Sequence, residues 1–173
     1  IPAHNEAAGI AETIASLRAI DYPETLRRTI VVADNCSDDT AQIARNEGAV
    51  VLERTDLEQR GKGYALAYAF EQCIRDAKAD AVIVVDADTV ASKNLLQAFA
   101  ARLAIGAQAV QAHYGVRNPE ASWRTRLMRI ALALFHRVRS LAREVMGVSC
   151  GLRGNGMCFR LSLLKEVPHD AFS

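Results

Sequence analysis

Short runs of β-branched residues, each ending in a cluster of polar side chains, constrain this chain more than any other feature. Ala81–Val85 (AVIVV) is apolar throughout and Thr29–Ala33 (TIVVA) nearly so. Continuous apolar strands of this kind belong in sheets covered on both faces. Ala49–Leu52 reads as a third strand, Ile1-Pro2-Ala3 as the end of a first, and Ala107–Tyr114 as a later one. Between them lie segments of helical period. Glu6–Ala19 carries Ile10, Ile14 and Leu17 at steps of four and three, and Tyr64–Lys78 carries Leu66, Phe70 and Ile74 on one stripe. Asp39 and Thr40 are placed to cap a helix that Gly48 would stop, and Leu95–Leu103 is helical. Alternation of strand and helix predicts an α/β domain with a mostly parallel central sheet flanked by helices. Ligands of such sheets bind beyond the C-terminal ends of the strands. The polar clusters fall there: His4-Asn5-Glu6, Asp34-Asn35 and Asp86-Ala87-Asp88.

The 173 residues are half apolar, enough for one domain with a real core and too apolar for a disordered tail. Unbroken apolar runs such as Ile130–Phe135 are far short of a bilayer span. The net charge of +1 hides a gradient. Residues 1–88 carry 9 Lys/Arg against 16 Asp/Glu, a net −7, and residues 89–173 carry 12 against 4, a net +8. An acidic half suits a cation site, and a basic half a phosphate-rich or membrane-surface partner. Aromatic residues make up 6% and do not interleave with the basic ones, which disfavours nucleic-acid binding. Cys36, Cys73, Cys150 and Cys158 have neither CxxC spacing nor a histidine at zinc-site spacing, so they read as reduced thiols of a cytosolic domain.

Four motifs carry chemistry. Asp86 and Asp88 arrive at the end of a buried strand two positions apart, and hard oxygen ligands of this kind suit Mg²⁺ or Mn²⁺ bridging a diphosphate. The bland alternative is a carboxylate pair capping the next turn. Ile1–Glu6 leads into a helix start, where anions and ribose hydroxyls are favoured, although capping by Asn5 explains it alone. Ala33–Thr40 holds four capping-type side chains, but capping leaves Asp34 at the strand end unexplained, free to accept an N–H from a nucleobase. Arg60-Gly61-Lys62-Gly63 pairs glycines that admit a ligand close to the backbone with two cations for phosphate, without Walker A spacing.

Taken in order, IPAHNE, ADNCSDDT, RGKGYAL, DAD and GLRGNGMCFR resemble the family-two glycosyltransferases of the GT-A fold over nearly the whole chain. That resemblance implies a Rossmann-like nucleotide-binding sandwich and a nucleotide-sugar donor, usually a UDP-sugar, transferred with inversion to a saccharide or lipid-linked acceptor. By the family's pattern Pro2, Ala3 and Glu6 would line the nucleoside pocket and Asp34 would hold the base. Gly61 and Lys62 would meet the base and diphosphate, Asp86 the ribose or metal, and Asp88 the divalent ion (Mg²⁺ or Mn²⁺). Gly154, Asn155 and Gly156 would shape the acceptor side. The family's base, an aspartate of a Glu-Asp pair, is missing where expected, and Asp170 lacks an acidic neighbour. The chain therefore reads as a single GT-A domain, residues 1–173, truncated at both ends, with its base beyond Ser173. Such a piece is expected to bind donor but transfer sugar poorly.

Ser122–Met146 reads as a long helix with six arginines and one glutamate. Trp123, Leu127, Ile130, Leu134, Val138, Leu141 and Val145 form one apolar stripe. From the residues alone, packing of that stripe on the core is the favoured reading. The resemblance adds a membrane surface as partner, and with it the cytoplasmic face of the plasma membrane as location. Two rival functions remain. Asp86-Ala87-Asp88-Thr89-Val90 also fits the signature of haloacid dehalogenase-type phosphatases with Asp86 as nucleophile, but no paired acids follow it. The other is a non-catalytic nucleotide-sugar-binding domain.

Overall fold

The computed structural model describes residues 1–167; Asp170 and the rest of the C-terminal segment lie outside the described residues. Strands β1 (Pro2–Ala3), β2 (Ile30–Asp34) and β3 (Val50–Arg54) form a parallel sheet in that order. Helices α1 (Ile10–Arg18) and α2 (Thr40–Asn46) make the crossovers between them. Helix α3 (Lys62–Asp76) then leads to β4 (Ala81–Val84), α4 (Leu95–Ala104) and β5 (Ala109–Gln111). A long helical arm follows: α5 (Trp123–Leu132), a π-helical segment Ala133–Val138 and α6 (Arg139–Val145). Strand β6 (Met157–Arg160) and α7 (Leu161–Glu166) complete the described chain.

The α/β class and the parallel three-strand sheet flanked by helices match the expectation. The second sheet, ordered β4-β6-β5, differs in being antiparallel throughout. An apolar run signals burial and not direction, so AVIVV reads the same in either kind of sheet. Its partner β6 is only Met157–Arg160 and follows a glycine-rich stretch, which hid it.

Local chemistry also moves two helix starts. Glu6–Gly9 is not helical: Asn5 adopts a left-handed φ of 55° and the Glu6 carbonyl accepts from the amides of Gly9 and Ile10. Asn5 does not cap α1, because its Oδ1 accepts the Ser37 amide at 2.8 Å. In α2 the cap bond comes from Asp38, whose Oδ1 accepts the Thr40 amide at 3.0 Å, while Asp39 makes none. Helix α3 starts two residues early because Gly61, at φ 110°, turns the chain and its carbonyl accepts from Ala65.

Two apolar clusters set the frame. One joins Ala3, Ile10, Ile14, Val31, Ala44 and Ala87. The other joins Phe70, Cys73, Val84, Met157, Leu161 and Leu164. Ala87 belongs to the first cluster although it follows β4, so it ties the second sheet to α1. The Thr13 hydroxyl donates to the Ala87 carbonyl at 2.6 Å. All four cysteines are free thiols. Burial pushes the Cys158 thiol up to about 11, which leaves it an inert core residue.

The arm overturns the packing expectation. Its apolar stripe, from Trp123 to Val145, is 51–88% exposed. The opposite, more polar side faces the domain. There Arg153 donates to His136 Nδ1 at 3.0 Å, to Ser140 Oγ at 2.5 Å and to the Cys150 carbonyl at 3.0 Å. His136 also stacks on Tyr114, with ring centroids 4.2 Å apart. Among the described residues no helix is long and apolar enough to cross a membrane.

Candidate active site

The C-terminal ends of β1 and β2, the turn after β4 and the start of α3 enclose one cleft of about 560 Å³, within the range of small-ligand sites. Pro2, Ala3, Glu6, Asp34, Gly61, Lys62, Asp86 and Asp88 all line it. Every residue assigned above to nucleotide or metal is thus brought to one place from four separate segments. His4, Asn35, Leu57 and Arg60 line it too.

The loops that form the rim are bonded to one another. Asn5 holds Ser37, the Thr40 hydroxyl accepts the Glu6 amide at 2.8 Å, and Asp38 accepts the Ala7 amide at 3.1 Å. Bonding to the Thr40 hydroxyl holds the Asp38 carboxyl below the usual carboxylate range. Asn35, left-handed at φ 51° after β2, accepts the Asp56 amide at 2.8 Å. The Gln59 and Glu58 amides, with Arg54 beside them, likewise lower Asp56. Paired turns after β1 and β2, each built on an asparagine that tolerates positive φ, fix the floor.

Asp34 is buried there, and its partner was not foreseen. Arg54 Nη1 donates to Asp34 Oδ1 at 2.7 Å, and the two side chains are only 11% and 5% exposed. Arg54 also reaches Asp56 and the Gln59 carbonyl and lies 5.9 Å from the Tyr64 ring centre. Arg54 is the register partner of Asp34 in the β2–β3 ladder, a relation that no local sequence signal marks.

Asp86, Ala87 and Asp88 sit on a tight turn closed by the Thr89 amide donating to the Asp86 carbonyl at 3.2 Å. All three residues line the cleft, and Ala87 is also buried in the core. The bend therefore does what continued extension would have done. Asp86 Oδ1 accepts from Lys62 Nζ at 2.5 Å, with the side chains 32% and 40% exposed. A pair this open contributes little stability.

Gly154, Asn155 and Gly156 do not line the cleft; they back the turn. A methyl at Gly154 would stand 3.4 Å from Lys62 Nζ, and one at Gly156 only 2.9 Å from the Ala112 side chain. The Asn155 side chain bonds the turn itself.

Among the described residues no three His, Cys, Asp or Glu side chains converge to hold a metal unaided. Two carboxylates on one turn, facing space for phosphate oxygens, are the donor set of a hard divalent ion that keeps waters and shares its substrate's oxygens. Asp86 and Asp88 fit an ion on those terms.

Relatives share this architecture. Glucosyl-3-phosphoglycerate synthase of Mycobacterium tuberculosis, solved with Mn²⁺, UDP-glucose and phosphoglyceric acid, superposes over 96% of this chain and 57% of its own, at 26% identity and TM-score 0.62. Residues 1–349 of Staphylococcus aureus TarS share the fold at 23% identity and TM-score 0.66, over 99% of this chain and 50% of that one. A low-salt glycan biosynthesis hexosyltransferase of Haloferax volcanii is 36% identical over 88 residues, 51% of this chain and 20% of that protein. A 4,4'-diaponeurosporenoate glycosyltransferase of Staphylococcus aureus is 34% identical over 88 residues, again 51% of this chain and 22% of that protein. The matched stretch thus spans about a fifth of these two curated relatives. The family model described as Glycosyltransferase like family 2 matches residues 1–173. An α/β frame whose expected nucleotide residues meet in one cleft, matched by the family from end to end, makes this chain a member of the glycosyltransferase-like family 2.

Proposed function

We propose that this domain transfers a sugar from a nucleoside diphosphate donor, a UDP-sugar before any other, to a saccharide or lipid-linked acceptor with inversion. The observation that carries the reading is the convergence of Asp34, Lys62, Asp86 and Asp88 on one cleft. Family membership removes the phosphatase reading of Asp86. The solved relative bound to UDP-glucose supports the donor class.

Roles follow from the chemistry of each group. The nucleoside would lie over Pro2 and Ala3, with its base toward Asp34 and Glu6 on the rim. The diphosphate would meet the start of α3, where the helix dipole favours anions. Gly61 keeps the approach open, since nothing lies within 4 Å of where its side chain would be. Arg60 and Lys62 add positive charge, and the Lys62 ammonium would leave Asp86 to donate to a phosphate oxygen. Asp86 and Asp88 would hold Mg²⁺ or Mn²⁺, which when bound neutralises the charge growing on the departing diphosphate.

An anionic membrane surface is the partner that suits the arm. It would present the exposed stripe together with Arg124, Arg126, Arg129 and Arg137. Free thiols fit the cytoplasmic side of that membrane.

Calorimetric titration of UDP with and without Mn²⁺ tests the donor site. The expected result is a Kd at least tenfold tighter with Mn²⁺, and loss of that gain in Asp88→Asn with metal-free binding kept. UDP affinity indifferent to the ion would overturn the reading.

A further inference from the structure

We infer that Asn155 is a positioning residue for the donor-binding turn: its side-chain amide spans the Asp86–Thr89 turn and fixes the direction of both carboxylates. The inference rests on the donor reading above. It gives Asn155 a different task from the acceptor-side one implied by resemblance.

The geometry is two-sided. Asn155 Oδ1 accepts the Asp86 amide at 3.1 Å, and Nδ2 donates to Thr89 Oγ1 at 2.9 Å. One planar amide therefore holds both ends of the turn. It touches neither carboxylate, so any influence on the cleft passes through the backbone.

Asn155 is itself held. Gly154 and Gly156 flank it at φ 85° and 65°, left-handed values that let the loop fold its side chain back onto the turn. The Gly156 amide donates to the Val84 carbonyl at 2.9 Å, and the Gly156 carbonyl accepts from Ala112 at 2.7 Å. Gln111 Nε2 donates to the Asn155 carbonyl at 2.7 Å, while Gln111 Oε1 accepts the Arg153 amide at 2.8 Å.

On its other side the turn is anchored by Thr13, which donates to the Ala87 carbonyl, and by Ser16 Oγ, which accepts the Ala91 amide at 3.0 Å. Helix α1 thus fixes where the turn sits. Asn155 fixes how it is rotated, and rotation decides whether two carboxylates reach one ion. Ligand pairs lose affinity when their supporting hydrogen bonds go.

The test compares wild type, Asn155→Ala and Thr89→Val. UDP titrations with and without Mn²⁺ are combined with amide hydrogen exchange at Asp86. In Asn155→Ala the Mn²⁺-dependent gain in UDP affinity should fall at least tenfold, metal-free UDP Kd should stay within twofold, and Asp86 exchange should accelerate at least tenfold. Thr89→Val removes one of the two bonds and should give a smaller loss in the same direction. It also decides the matter should Asn155→Ala fail to fold. The inference is overturned if Asn155→Ala keeps the Mn²⁺-dependent gain within twofold, or if metal-free binding falls equally, which would mean general collapse of the cleft. A wild type with no Mn²⁺-dependent gain sinks the donor reading instead. Asp86 exchange would then still decide whether Asn155 holds the turn.

Discussion

Replacing Arg54 by methionine isolates the most costly interaction in the cleft. The Asp34 and Arg54 side chains are 5% and 11% exposed and meet at 2.7 Å. Methionine keeps most of the arginine's volume but removes its charge, and among the described residues leaves the buried Asp34 carboxylate with the Asn35 side-chain Nδ2, 3.2 Å from the same oxygen. Breaking one partner of a buried pair costs about 3–5 kcal/mol, because the remaining charge is no longer compensated. With a urea slope of about 2 kcal/mol/M, the midpoint of unfolding should fall by roughly 1.5–2.5 M. Adding Asp34→Asn removes the stranded charge, so the double variant should recover to within about 1 kcal/mol of wild type, since apolar or neutral replacements of buried pairs are near neutral. Urea unfolding followed by far-UV circular dichroism reads all three. A loss below about 1 kcal/mol in Arg54→Met would refute the reasoning, because it would mean that water already reaches the pair. A double variant as unstable as the single one would refute it too, since the damage would then be lost packing.

The arm and its histidine give two more expectations. Wild type should sediment with vesicles containing anionic lipid, less so at high salt. Leu134→Asp with Val138→Asp should weaken that at least tenfold, since each buried side chain is worth about 1.5–3 kcal/mol; equal binding by the variant would exclude the stripe as the contact. His136 titrates below its usual value because burial, with Arg153 and His113 nearby, disfavours its charged form. Arg153 can only donate, so Nδ1 must accept and the imidazole is neutral. An unfolded histidine, titrating near about 6.5, binds the proton more readily than the folded one. Stability should therefore be full above that pH and decline as pH falls below about 6.5. Unfolding midpoints across that range should show a smaller decline for His136→Gln, and identical slopes would count against this account.

Much of the site was legible because its residues are tied to strand ends. Asp34 and Asp86 close apolar runs, and in such sheets strand ends meet at the ligand edge. Arg60-Gly61-Lys62-Gly63 was readable as paired glycines beside two cations, although the helix start at Lys62 was not. Arg54 was not legible, since its importance comes from ladder pairing with Asp34 across a crossover. The role of Asn155 depends on contacts 66 and 69 residues away, which no local pattern encodes.

The sequence by itself determined most of the strands and helices, β6 and α7 excepted, and that polar residues follow the strands. Burial and periodicity are local properties, written within a few neighbours of each residue. Only the tertiary structure decided that β4 pairs antiparallel with β6, that Asp86 and Asp88 reach one cleft through a bend, and that the arm turns its apolar stripe outward. Those outcomes depend on which distant surfaces compete for the same space. For the arm, Arg153, His136 and Ser140 drew the polar side inward, a choice that helical periodicity alone does not specify.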